Sequence, residues 1–154
     1  MANANDELVD TLVTLAQLDI DAIHAYSQAL GHIEIKTIYD ALMKFQDDHR
    51  RHVTELSAEI QKLGRMPPVS RDVKGFFITG FTAIQSLMGT NGALKAMEGN
   101  EELTTKTYRE ALEKNLLMPI KELIEKNFLD EQRHLQFIQQ ALKDTEKPEN
   151  QSLV

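Results

Sequence analysis

Six side chains of this 154-residue sequence are of types that bind metal ions or carry protons, and they recur at matched spacings: Asp19, His49, His52, Glu101, Glu131 and His134. Asp19 stands 33 residues before His52, and Glu101 stands 33 before His134. A displacement of 82 carries His49 onto Glu131 and also matches Tyr26 with Tyr108, Asp48 with Asp130, Arg51 with Arg133, Leu12 with Leu94 and Ile38 with Ile120. The sequence therefore contains an internal repeat, and the polar residues repeat with it. Glu131 and His134, at i and i+3, share one helix face. Carboxylate and imidazole are ligands of iron, manganese and zinc. A carboxylate buried without a partner costs several kcal/mol. Three carboxylates and three imidazoles at one level are not expected simply to neutralise one another. Divalent cations would compensate the acids and order the rings.

The elements that must position these residues read as helices, because apolar residues recur in steps of three and four. One helix is expected from Asp6 to Leu30, with Asn5 as its N-cap and Gly31 just past its end. A short link predicts an antiparallel neighbour from Ile35 to Leu63, stopped by Gly64-Arg65-Met66-Pro67-Pro68. A crossover from Gly64 to Gly89 should carry an extra helix from Asp72 to Met88, which Gly89-Thr90-Asn91-Gly92 breaks. Further helices follow from Ala93 to Lys114 and from Pro119 to Lys143, with Pro119 in a first turn and a loose tail over 144–154. The seams of the four helices are apolar except at the six residues named above, at Thr104 and at the two tyrosines.

Two hairpins joined by a long crossover predict an all-α, ferritin-like four-helix bundle, here as a single domain over 1–154. An apolar content of 42% excludes a disordered chain. A net charge of −7 argues against sequence-independent nucleic-acid binding, and the absence of cysteine excludes disulfides, thiol catalysis and cysteine-ligated clusters. No stretch reads as a signal peptide or a membrane span, so a cytoplasmic protein is expected. Tyr26 and Tyr108 are most simply packed aromatics, the alternatives being hydroxyls that hold Glu101 or Asp19, or radical traps. Arg50 and Arg51 suggest local ion pairs rather than a phosphate site. His24 and His32 are expected at the surface. Phe76, Phe77, Phe81 and Ile84 form an apolar face that covers the bundle, joins a dimer or leads to the site.

With Glu101 on the third helix and Glu131-Gln132-Arg133-His134 on the fourth, the sequence resembles the ferritin-like di-metal carboxylate proteins, and among them the rubrerythrin-type bundles of bacteria. Asp19 matches the first-helix carboxylate of that family and His52 the second-helix histidine. The resemblance spans about 5–143 and implies a non-haem metal centre held by Asp19, His49, His52, Glu101, Glu131 and His134. It further implies iron as a di-iron pair, with manganese or zinc as substitutes, dioxygen or peroxide as reactants, and a homo-oligomer, with a dimer favoured. One departure stands out: His49 occupies the position of the second-helix Glu, leaving three strict carboxylates, with Asp48 beside the seam as a possible fourth. The function expected is a di-iron or mixed-metal oxidoreductase of the ferroxidase or peroxide-handling sort. The alternatives are a structural or stress-linked bundle with a degenerate site, or iron storage.

Overall fold

The computed structural model describes residues 3–71 and 89–146, which form four long helices and no strand. Helix α1 spans Ala4–Leu30, α2 Lys36–Lys62, α3 Thr90–Leu112 and α4 Met118–Thr145. The expected crossover helix from Asp72 to Met88, its aromatic face, and the tail from 147 onward lie outside the described residues.

Helix ends differ from expectation where capping chemistry decides them. Asn3, not Asn5, caps α1: its side chain accepts the Asp6 amide at 2.9 Å, and the Asp6 carboxylate accepts the Asn3 amide in return. Asn3 has an acid three residues on, whereas Asn5 has Leu8 there, so only Asn3 can form the reciprocal pair. Gly31 keeps a helical φ of −64° and uses none of its left-handed freedom. Gly64 does use it: at φ 82° it turns the chain out of α2 while the Arg65 amide closes back onto the Ile60 carbonyl. Helix α3, expected from Ala93, begins at Thr90 after Gly89 at φ 94°, so Thr90-Asn91-Gly92 forms its first turn. Poor helix formers are tolerated there because first-turn amides have no partner within the helix in any case. Pro119 sits in the first turn of α4, as its fixed φ favours.

α1 packs on α2 and α3 on α4, and the two hairpins meet through α1 against α3 and α2 against α4. The buried apolar residues form two separate clusters. One gathers Leu8, Leu12, Leu15, Leu56, Ile60 and Ile124, and the other Ala29, Leu42, Phe45, Leu94, Met97 and Ile138. Between them lies a polar waist. Asp19, His49, His52, Glu101, Glu131 and His134 are each 0% exposed there. No helix among the described residues is long and apolar enough to cross a membrane.

Candidate metal centre

Every seam that should be apolar is interrupted at this one level, so each helix contributes to the waist: Asp19 from α1, His49 and His52 from α2, Glu101 from α3, and Glu131 and His134 from α4. The six fall into two overlapping sets whose ligand atoms lie within 4.8 Å of one another: Asp19, His49, His52 and Glu131, and His49, Glu101, Glu131 and His134. His49 and Glu131 belong to both. His49 lies in the middle, with Nδ1 2.6 Å from Asp19 Oδ1 and Nε2 3.1 Å from Glu101 Oε1. His52 Nδ1 is 3.3 Å from Asp19 Oδ1 and 3.1 Å from Glu131 Oε1. His134 Nδ1 faces Glu101 at 3.6 Å and Glu131 Oε2 at 3.7 Å.

The tyrosines tie the hairpins together across the waist. The Tyr26 hydroxyl on α1 donates to Glu101 on α3, and the Tyr108 hydroxyl on α3 donates to Asp19 on α1 at 2.5 Å. Burial raises both phenols well above their usual pKa, and the carboxylate charges add to the effect, so both remain donors. Of the roles the sequence left open, holding Glu101 and Asp19 is the one the geometry provides.

Asp48 does not enter the inner group. It lies behind the centre and accepts from His134 Nε2 at 2.8 Å and from Arg133 at 2.9 Å. Its repeat partner Asp130 stands behind His52 Nε2 at 3.0 Å and accepts from Arg51 and Arg133. Each of these two histidines therefore has one nitrogen facing inward and one fixed outward by a carboxylate, which sets its orientation. Burial alone would raise Asp48, but hydrogen bonds from His134 and Arg133 bring it down to about 2. Burial is likewise outweighed at Asp130, chiefly by His52 and Arg133, which hold it below the usual carboxylate range. Arg50 pairs locally with Asp47, and His24 and His32 are exposed, as expected.

The six inner groups offset one another's charge in part. Burial on its own would lower all three imidazoles, yet the surrounding acids raise His134 to about 9, His52 to about 11 and His49 well above its usual value. Burial would raise Asp19 and Glu101, but the imidazoles bring both below their usual values. Glu131 is the exception: burial raises it and the neighbouring rings do not fully compensate. Both of its oxygens, and His134 Nδ1, are buried with no hydrogen-bond partner, although imidazole nitrogens lie 3.1–3.7 Å away. No well-formed hydrogen bond reaches these three atoms, and a cation among them would satisfy them once the rings give up their inward protons.

Asn127 is a residue the sequence reading passed over. It is fully buried, one turn before Glu131, and lies close enough to the Tyr108 hydroxyl to offset part of the rise in that phenol's pKa. The step from Ile124 through 127 to Glu131 keeps the seam period and could have marked it. Its repeat partner Phe45 stacks on His134, ring centroids 4.3 Å apart, so the two halves of the waist are walled differently.

A family model described as "Domain of unknown function (DUF2383)" matches residues 7–114, which include α1 through α3 but not Glu131 or His134. No curated protein matches. A crystal structure described as ferritin-like, diiron-carboxylate proteins from Bacillus anthracis is similar, with a TM-score of 0.72 at 19% identity over 92% of this chain and 99% of that one. A hypothetical protein from Pyrococcus furiosus is similar at a TM-score of 0.67 and 15% identity over 88% of each chain. The fold is ferritin-like, and the buried His/Asp/Glu cluster fits a metal-binding protein of that fold.

Proposed function

Since the chain belongs to the DUF2383 family, we propose from the chemistry of the waist that it binds two divalent metal ions and works as a di-iron or mixed-metal oxidoreductase. The observation that carries this reading is Glu131, a fully buried carboxylate with both oxygens lacking a hydrogen bond and common to both four-residue sets. The diiron-carboxylate description of the Bacillus anthracis proteins supports the same direction.

Asp19 and His52 would hold one ion, Glu101 and His134 the other, and Glu131 would serve both. When bound, redox-active ions would supply electrons to dioxygen or peroxide. The chain's own part is to orient and to exclude water. Tyr108 and Tyr26 fix the rotamers of Asp19 and Glu101, Asp130 and Asp48 fix the imidazoles, and the two apolar clusters close the waist from both ends. Phe45 shields the His134 side.

Anaerobic Fe(II) titration followed by dioxygen or peroxide tests this. The expected result is uptake of two ions per chain and their oxidation, and absence of stoichiometric uptake would overturn it. One observation favours a second reading, a structural bundle: His49 and His52 already pair with Asp19 and Glu101 at 2.6–3.3 Å without any ion. Asp130→Asn separates the two readings. It should weaken metal binding by roughly 10–100-fold through a misoriented His52, and it should also destabilise the metal-free chain, because His52 and Arg133 hold the Asp130 carboxylate below its usual range. A large drop in melting temperature with unchanged metal affinity would favour the structural bundle.

A further inference from the structure

We propose that His49 replaces a fourth carboxylate by joining the two halves of the centre through its two ring nitrogens, Nδ1 toward the ion held with Asp19 and His52, and Nε2 toward the ion held with Glu101 and His134. The inference rests on the metal-binding reading above and specifies how that centre is bridged.

Three observations on the ring carry it. First, it lies between the halves: Nδ1 is 2.6 Å from Asp19 and Nε2 is 3.1 Å from Glu101, one nitrogen to the acid of each half. Second, His49 differs from its two companions. His52 and His134 each keep one nitrogen outward on Asp130 or Asp48, which holds a proton there. His49 has no outward carboxylate, because both of its nitrogens face inward. Third, only His49 and Glu131 belong to both sets of ligand atoms, and they occupy matching positions in the repeat.

Charge balance points the same way. Two divalent ions bring four positive charges, and Asp19, Glu101 and Glu131 bring three negative ones. A neutral ring bound through one nitrogen leaves a buried net charge and an N–H pointed at a cation, both costly. A ring bound through both nitrogens carries the fourth negative charge. One metal–nitrogen bond forms at each nitrogen, the ring protons leave to solvent, and no electrons change hands. With metal–nitrogen bonds of about 2.0–2.1 Å, the ions would then stand on the order of 6 Å apart, beyond the 3.5–4 Å usual for two-metal sites. A ring bridge also favours an ion with an affinity for imidazole, such as copper or zinc, in at least one half.

Cu(II) serves as a spin probe, added to the full chain with the exposed His24 and His32 changed to Gln. The paramagnetic resonance signal should grow with the first equivalent and collapse as the second enters and couples through the ring. In a further His49→Gln variant the signal should persist. Uptake of two ions with a full, uncoupled signal, uptake that stops at one ion, or coupling retained in His49→Gln would each overturn the bridge while leaving metal binding intact. Absence of uptake would overturn the metal-binding reading and the bridge with it. Should His49→Gln fail to fold, X-ray absorption of the natural chain loaded with two Zn(II) decides. A metal neighbour at about 3.5–4 Å would refute the bridge, and its absence at full loading would support it.

Discussion

Glu131→Gln is expected to make the metal-free chain more stable and at the same time to weaken the metal binding proposed above. Glu131 is fully buried, its pKa is raised chiefly by burial, and neither oxygen is hydrogen-bonded. An acid whose folded pKa lies above its unfolded value opposes folding once it ionises. The neutral amide, of almost the same size, removes that penalty, a gain of about 1–3 kcal/mol. The gain should be present at neutral pH and fade as pH falls through the carboxylate range, where Glu131 is protonated anyway. Metal affinity should fall more than about a hundredfold, since the lost charge serves both ligand sets. Asp19→Asn and Glu101→Gln should behave in the opposite sense. Their pKa values are lowered by the rings, so their ionised forms favour folding, and neutralising them should destabilise the metal-free chain. Urea unfolding of the three variants without metal, alongside metal titration, checks the set. Equal destabilisation by all three would mean that Glu131 is one more strut of an ion-pair network. A residue whose removal stabilises the fold and abolishes binding is the signature of a site kept for its chemistry.

The second large effect is a divergence in pH dependence between the metal-free and metal-loaded chain. The acids around them raise His134 to about 9 and His52 to about 11, against an unfolded value near 6.5. Their contribution to stability is therefore complete below about pH 6.5 and is lost as pH rises, through about 9 for His134 and about 11 for His52. Between pH 6.5 and 9 the metal-free chain should lose up to about 1.4 kcal/mol per pH unit for each proton retained on folding. Metal binding runs the other way, because each ligating nitrogen must first give up its proton. Affinity should rise by about tenfold per pH unit for each proton displaced. Unfolding curves of both forms across that range, and calorimetric titration in buffers of different ionisation enthalpy, would show the opposed slopes. Parallel curves would mean that metal does not compete with those protons.

The inner residues were legible because two independent signals agree on them. Asp19, Glu101 and Glu131 interrupt apolar seams that run in steps of three and four, and the repeat of 82 places the interruptions at one level. Asp48 was harder. Successive helical residues are rotated by about 100°, so a residue beside the seam faces either into the bundle or behind it, and the packing of α2 on α4 puts Asp48 behind His134. Its match to Asp130 was visible, but the shared role of the pair depends on how the two helices face each other. Asn127 fits the seam by spacing, yet a single amide carries no chemical pattern of its own. The charge offset at the waist depends on the position of one ring, and spacing does not fix ring positions. Asn3 and Thr90 show the usual weakness at helix ends, where one reciprocal side-chain pair or one glycine moves the boundary by a turn.

The two halves of the bundle are alike in sequence and in the reciprocal ties from Tyr26 to Glu101 and from Tyr108 to Asp19, yet position 49 holds a ring where position 131 holds an acid. Two identical hairpins associating as separate molecules would be compelled to present the same residue at both places. Carrying both hairpins on one polypeptide lifts that symmetry constraint. Each side of the chamber can then be altered by a single codon, without the same change being imposed on the other.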